Sequence, residues 1–502
     1  MPINAPLKHN RVGVLDIGSN SVRFVIYELF GAHFSPVYNE KVLAGLGRDL
    51  RDTGHLSKKG KTLAFDSLRR FKAIAEAQGL GELLIGATAA LRAAKDAPEF
   101  ISQVKDEIGL DISPISGEEE ARLTAMGMLA ADSRAQGLAA DLGGASLEFV
   151  HVHDLALAKG VSLKLGPFEI LGSQLSDEAN FNNADIRAKI ESKLASVEFA
   201  SFKGQALHLI GGAWRNLASI HQQRHDYPMR TLQAYRLNPQ DASDLAKWAY
   251  GEGREEILAW PGISNRRLET LPYSGYLLEM ILERMEPNVM IISTTGLREG
   301  LVYDSMPPTL RERDSLLDGC RDLARGNLQA VHFAEPLYHF LEEAAAHFPT
   351  SFTIENENRL RRAACQLAGI GKGLHPDYRA DLVFEDVLYA PIANLTHQER
   401  AYLALILFSS YTGRSLPTKG EGVEALLHEE ARIAARSYGA AMRFAIVATG
   451  RSADLLDNFK LTVDEGRLKL SVTPSMEALL SDRVRYRLKK LGQLSGLPFD
   501  SA

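Results

Sequence analysis

Asp16 and the small residues that follow it, Gly18, Ser19, Asn20 and Ser21, have the chemistry of an anion-binding turn. Glycine lets main chain approach a ligand, successive N–H groups form a concave nest for an anion, and serine hydroxyls add donors. The stretch recurs: Asp141-Leu-Gly-Gly-Ala-Ser-Leu-Glu-Phe-Val lies without a gap on Asp16-Ile-Gly-Ser-Asn-Ser-Val-Arg-Phe-Val. Gly143, Gly144, Ala145 and Ser146 therefore match Gly18 to Ser21, and Glu148 takes the slot of Arg23. Self-similarity of this kind predicts two units of similar fold, with the two turns facing each other across a cleft that suits a phosphate. If each turn joins a hairpin, Glu148 returns close to Asp141. Two carboxylates beside a phosphate nest are costly unless a cation lies between them, and Mg²⁺ takes such oxygen ligands while keeping waters and phosphates. Read separately, they are a turn acid and a strand acid.

Further candidates stand at strand ends. Arg92 follows the buried run Gly81–Thr88, where cleft residues of α/β folds gather; it reads equally as a surface arginine early in a helix. Ser116-Gly-Glu-Glu-Glu-Ala-Arg-Leu opens a helix as a capping box, with Ser116 capping and Glu119 reaching back. Glu118 suits the positive end of the helix dipole. Glu120 has neither duty, so if one of the three acids is catalytic, elimination favours Glu120. Gly211 and Gly212, between the strand Leu207–Ile210 and a helix, offer a helix N-terminus to a phosphate chain, a pattern also common in plain strand–helix packing.

The elements that must position these groups follow from the hydrophobic pattern. Val12, Val14 and Leu15, then Val22, Phe24, Val25 and Ile26, read as paired strands, with a third strand over 34–44. Apolar spacing predicts helices at 57–78, 96–108, from 116 through Met128, 166–175 and 184–197. Strands are expected ending at 112–116 and within 152–163. A strand–turn–helix at 289–301 closes the series. The tandem prolines after Asp304 mark a boundary, giving domains 1–128, 129–304 and 305–502. The last is mainly helical, over 311–346, 354–367, 397–409 and 422–447, with a hairpin from Phe459 and a final helix at 475–491.

With 502 residues, 45% of them hydrophobic and 24% charged, the chain is of globular type with room for three domains. A net charge of −6 argues against a nucleic-acid coat. A polyanionic ligand must use local charge, for which Arg224–His225–Arg230, Arg266–Arg267 and Arg359–Arg361–Arg362 are candidate clusters, each more often a solvated face than a site. Apolar runs fall short of the roughly 20 residues of a membrane span, and MPINAPLKHN lacks a signal-peptide core. A cytoplasmic location is expected, with no membrane partner. Cys320 and Cys365 lack metal or disulfide spacing and are expected as buried thiols.

The ordered set DIGSNS, ISGEEEAR, DLGGASLE, LIGGAWR and TTGLREGL resembles the exopolyphosphatase and guanosine pentaphosphate phosphatase family, over about residues 11 to 304 and more loosely beyond. The resemblance implies an α/β fold of two ribonuclease-H-like domains of the actin, Hsp70 and sugar-kinase superfamily, followed by an HD-like helical domain. It implies hydrolysis of a terminal phosphoanhydride, from inorganic polyphosphate or alternatively from guanosine pentaphosphate. Carried over, Glu120 is the base, Asp141 and Glu148 hold Mg²⁺, Arg92 contacts the phosphoryl group, and the chain forms a homodimer. A kinase or chaperone-like ATPase, or a non-catalytic sensor of guanosine penta- or tetraphosphate, are the competing functions. Ala145 narrows the second nest, and Leu147 removes a donor. Trp214 stands where nucleotide-binding relatives keep small residues. Ala368 and Gly369 replace the metal-binding histidine and aspartate of an HD helix, so His375 and His397 are expected to be structural.

Overall fold

The computed structural model describes residues 11–172, 184–263, 265–418 and 422–499. They form two compact units. The first runs up to Leu29 and takes in Phe34–Asp226 and Arg230–Glu312; the second holds Phe30–His33, Tyr227–Met229 and the chain from Arg313.

The first unit contains two sheets built on one plan. Strands β1 (Arg11–Ile17), β2 (Val22–Phe30), β3 (His33–Val42) and β4 (Glu82–Ala87) lie in the order β3-β2-β1-β4, with β1 antiparallel to β2 and parallel to β4. The second sheet has β5 (Gly137–Leu142), β6 (Leu147–His153), β7 (Ala156–Leu157), β8 (Val161–Leu163), β9 (Ala206–Ile210), β10 (Arg236–Leu237) and β11 (Val289–Ile292). Its order is β10-β11-β9-β5-β6-β7, with β8 also on β6; β5 is antiparallel to β6 and parallel to β9. The internal repeat is thus a repeat of topology, down to register: Asp16 pairs with Arg23, and Asp141 with Glu148.

Both faces of β1 are apolar, as strands covered on two sides require. Leu15 and Ile17 join a core with Phe71 and Phe100 from the helices Lys58–Ala77 and Ala97–Ile108, while Val12 and Val14 meet Val302 of the helix Leu297–Ser305. On the second sheet Ala121, Ala125 and Met128 of the helix Gly117–Ala131 pack against Ala139, Val150 and Ile210. These two helices, one on each sheet, also pack on each other. Contact is close enough that a Cβ on Gly300 would overlap the Leu123 carbonyl, and one on Gly127 the Gly296 carbonyl. Gly300→Ala is therefore expected to cost about 3 kcal/mol by overpacking against rigid backbone, read as a lowered midpoint in urea unfolding.

Several expectations shift. The helix Gly117–Ala131 runs through 128/129 and Leu297–Ser305 through 304/305, and the second unit starts at Arg313. Only an isolated bridge, Ala87 to Pro114, stands where a strand was expected at 112–116. The helix expected at 166–175 is Pro167–Leu171, and 173–175 lie outside the described residues. Ser116 caps as expected, accepting from Glu119 N–H at 3.0 Å, but the Glu119 carboxylate turns to Arg122 at 2.7 Å, because a charged partner one turn on outcompetes a backbone amide.

The second unit is helical around Ile354–Gln366, His397–Tyr411 and Glu429–Thr449, with the hairpin Phe459–Asp464 and Arg467–Val472, and its last helix is Asp482–Ser495. Cys320 and Cys365 are free and buried on helices. Ala368 is fully buried, His397 shares a hydrogen bond with the Tyr227 hydroxyl, and His375 is exposed. Arg361, read as part of a solvated face, is instead 2% exposed, where it ion-pairs with Glu357 and donates to the Ala345 carbonyl.

Candidate active site

The two repeated turns have the same internal geometry. Gly18 N–H donates to Ser21 O and Gly143 N–H to Ser146 O, each at 2.9 Å. The carbonyls of Ser19 and Asn20 accept from Gly47 and Gly45, and those of Gly144 and Ala145 accept from Phe168 and Gly166. Each turn is thereby anchored through its carbonyls. Among the described residues, the amides of Ser19, Asn20, Gly144 and Ala145 make no backbone hydrogen bond. Amides left free of backbone partners are available to an anion, and all four residues line a cavity of about 230 Å³ within the first unit.

Gly18, Ser21, Gly143 and Ser146 complete that lining from the two turns. Gly211 and Gly212 add the N-terminus of the helix Gly212–Arg224. Gly211 has φ +106°, and a Cβ there would press on Leu142 O and Asp141 Oδ1, so only glycine brings this helix start beside Asp141. Trp214, one turn in, does not line the cavity. It is 1% exposed and donates to the Ser274 carbonyl, so its bulk leaves the ligand space untouched and the argument against a nucleotide at this position falls away.

Three carboxylates face the cavity: Asp16, Glu120 and Asp141. Glu120 and Thr124 are four residues apart on one helix and so share a face. Thr124 Oγ1 donates to Asp141 Oδ2 at 3.1 Å, tying that helix to β5. Burial pushes the Glu120 carboxyl up to about 7; Arg92 opposes the rise, and Asp141 and Asp16 add to it. Burial likewise lifts Asp141 to about 6, against its bond from Thr124, and raises Asp16, against the charges of Arg298, Lys41 and Arg23.

Arg92 and Glu148 are not among the residues that line the cavity. Arg92 Nη1 donates to Glu120 Oε2 and to the Ile115 carbonyl, both at 2.8 Å. The arginine expected on the phosphoryl group thus holds the candidate base, because its helix Ala89–Ala93 ends against the 115–120 turn. Arg92→Gln is expected to move the acid limb of the pH–rate profile up by about one unit, since an opposite charge at contact favours the ionised carboxylate. Glu148 is 3% exposed and accepts from Ser162 Oγ at 2.7 Å; burial, Glu120 and Asp141 raise its carboxyl well above the ordinary range.

Of the cavity's cations, the sequence reading offered Arg267 alone, as half of one candidate basic pair. Lys41, Arg215, Arg267 and Arg298 all line it. Arg298 Nη1 lies 3.3 Å from Asp16 Oδ2, and the charges of Glu299 and Asp16 overcome the effect of burial and keep it firmly protonated. Arg215 donates to Gly211 O and Thr294 O, while burial and Arg298 lower its affinity for a proton. Burial and Arg267 bring the Lys41 ammonium down to about 8. Arg215 and Arg298 sit inside two of the quoted motifs, in the first turn of a helix after a strand, which was the available signal. Lys41 near the end of β3 carried none, and Arg267 stood in a candidate pair whose favoured reading was a solvated face.

A divalent cation can be tested against these donors. Asp141 offers a hard oxygen to the cavity, with Glu148 its strand partner. Both carboxyls are raised by burial and by neighbouring acids, a state that a cation relieves. Among the described residues no three His, Cys, Asp or Glu side chains gather into a cage. The donors fit an ion that completes its shell with waters and phosphate oxygens, as Mg²⁺ does.

Paired glycine turns, a helix N-terminus, a raised carboxyl and a set of cations around one cavity define a phosphoryl-handling enzyme of the actin-like α/β type. The chain belongs to the Ppx/GppA phosphatase family, whose model matches residues 25–309, and residues 316–500 match the model described as exopolyphosphatase, C-terminal. It is 26% identical over 321 residues to exopolyphosphatase 1 of Mycobacterium tuberculosis, covering 62% of this chain and 90% of that one. Among solved structures it is similar to an exopolyphosphatase from Cytophaga hutchinsonii (TM-score 0.52, 26% identity, 58% of this chain and 96% of that one). It also shares the fold of the Aquifex aeolicus Ppx/GppA family member (TM-score 0.50, 24% identity, 61% and 99%). No helix among the described residues is long and apolar enough to cross a membrane.

Proposed function

We propose that the chain is an exopolyphosphatase that removes the terminal phosphoryl group of inorganic polyphosphate, with Mg²⁺ at Asp141, the carboxylate that lines the cavity, and Glu148, its strand partner, supporting that site from outside the lining. The observation that carries this reading is the cavity wall itself. Turn residues whose amides have no backbone partner share the cavity lining with Glu120, and Lys41, Arg215, Arg267 and Arg298 supply charge for a chain of phosphates. The relatives' names as exopolyphosphatases support the substrate class.

The turns bind and orient the terminal phosphoryl group, which is most of what this chemistry asks of a protein. Glu120, near half ionised at neutral pH, takes a proton from water as the water oxygen bonds to phosphorus. The bridging P–O bond breaks, and the shortened chain leaves as an oxyanion facing the cations. When bound, Mg²⁺ supplies neutralisation of phosphate charge.

Phosphate release should be compared on long-chain polyphosphate, guanosine pentaphosphate and ATP, with and without Mg²⁺. Multiple turnover of polyphosphate that requires Mg²⁺ is expected. Faster release from guanosine pentaphosphate would move the substrate to that nucleotide, saturable ATP binding without polyphosphate turnover would favour a kinase-like protein, and tight binding without turnover a sensor.

A further inference from the structure

The helical unit carries a second cavity, of about 310 Å³, whose charged lining residues are all cations: Arg414, Arg436, Arg443, Arg487 and Lys490. Arg436 and Arg443 come from the helix Glu429–Thr449, two turns apart and so on one face; Tyr486, Arg487 and Lys490 come from the helix Asp482–Ser495; Arg414 comes from the segment after His397–Tyr411. The first two of these helices pack on each other through Met442, Leu488 and Leu491, so their charges are held face to face by an apolar core.

Like charges set opposite one another across a helix pair destabilise it unless something neutralises them. Arg414 has a partner in Asp381. Among the described residues, no carboxylate lines the cavity, and Arg436, Arg443 and Arg487 have neither a hydrogen bond nor an ion pair. Arg487 Nε is buried without a partner, as is the hydroxyl of Ser409 on the same wall. Burial, Arg487 and Arg483 hold the Arg443 guanidinium down to about 10, as expected where a cation faces cations. The Tyr486 ring, half exposed at the rim, lies 5.3 Å from the Arg487 guanidinium and 5.8 Å from Lys490 Nζ. Guanidinium groups match phosphate oxygens with two parallel donors each.

We propose that this cavity is a second anion site, for a compact ligand with two or more adjacent phosphoryl groups, either a short inorganic chain or the phosphates of a nucleotide. Its volume of about 310 Å³ holds a few phosphoryl groups. It is built from residues remote in sequence from the turns that line the first cavity, and its occupancy does not depend on hydrolysis there.

The test uses the full chain carrying Glu120→Gln, so that the probe is not consumed, titrated with inorganic tripolyphosphate by calorimetry. Two sites per chain are expected. Adding Arg443→Gln and Arg487→Gln together should weaken one of them at least about tenfold, two charged hydrogen-bonding partners being lost, and leave the other unchanged. Because the two arginines repel, that variant should melt no lower than its parent without anion, and the parent alone should gain the second site's share of stabilisation by tripolyphosphate. Competition by GTP assigns the site to nucleotides, and failure of GTP to compete assigns it to inorganic chains. Superimposable isotherms for parent and double variant, equal affinity for orthophosphate, or binding of long polyphosphate but not tripolyphosphate would overturn the proposal. Polyphosphate turnover by the Arg443→Gln, Arg487→Gln chain with Glu120 intact reports separately on the first cavity.

Discussion

Replacing Glu120 by glutamine is expected to lower kcat for phosphate release about 10² to 10⁴-fold, with KM changed by no more than about threefold because the binding turns stay intact. Glutamine keeps the side chain's shape and its acceptor for Arg92, but it cannot take a proton from water. Steady-state kinetics on polyphosphate measure both constants, and a variant as active as the parent would remove Glu120 from the mechanism.

The same substitution has a signature in pH. Buried beside Asp141 and Asp16, the Glu120 carboxyl loses its proton only near pH 7, so parent activity should climb through about that value as the base becomes available. The Glu120→Gln residual rate should lack this rise. On the alkaline side Lys41 gives up its charge near pH 8, and the cost there should fall on KM, since an ammonium that only attracts phosphate acts in binding. A profile whose acid limb survives Glu120→Gln would assign that limb to another group.

How far such residues could be read from the chain depended on the range of the interaction that places them. The turns at Asp16 and Asp141 were legible because turn chemistry is local, and their pairing with Arg23 and Glu148 followed from hairpin register alone. Glu120, which lines the cavity, was nominated by excluding capping duties, a rule that needs only the next few residues, although Glu119 fulfils its own share differently. Arg92 and Glu148 were nominated from the sequence for the phosphoryl group and the metal, but that Arg92 bonds to Glu120 and Glu148 to Ser162 depends on tertiary packing. The approach of Gly127 to Gly300, which joins the helix of Glu120 to that of Arg298, has no local signature, since 173 positions separate them. Lys41 and Arg267 illustrate the same limit, as does Arg361, whose burial rests on Glu357 one turn back and carbonyls elsewhere.

Asp141→Asn should separate the two duties of that carboxylate, charge toward a cation and fit within the fold. At pH 7.5 the parent carries Asp141 ionised although burial raises its pKa to about 6. A carboxyl whose folded value exceeds its unfolded one supports the fold while protonated, and that support is lost as pH rises through the folded value. The neutral amide escapes this loss and can still accept from Thr124, so without metal the variant is expected to be more stable at pH 7.5, by on the order of 2 kcal/mol. At pH 4 the difference should vanish, because Asp141 is then protonated in the parent. Added MgCl₂ should raise the parent's melting temperature by mass action and leave the variant's unmoved, while phosphate release by the variant falls at least about 100-fold for want of charge stabilisation. Equal Mg²⁺-dependent shifts in the two proteins would place the cation away from Asp141, and a variant less stable at pH 7.5 would mean that the ionised carboxylate holds the fold together by contacts stronger than its burial opposes.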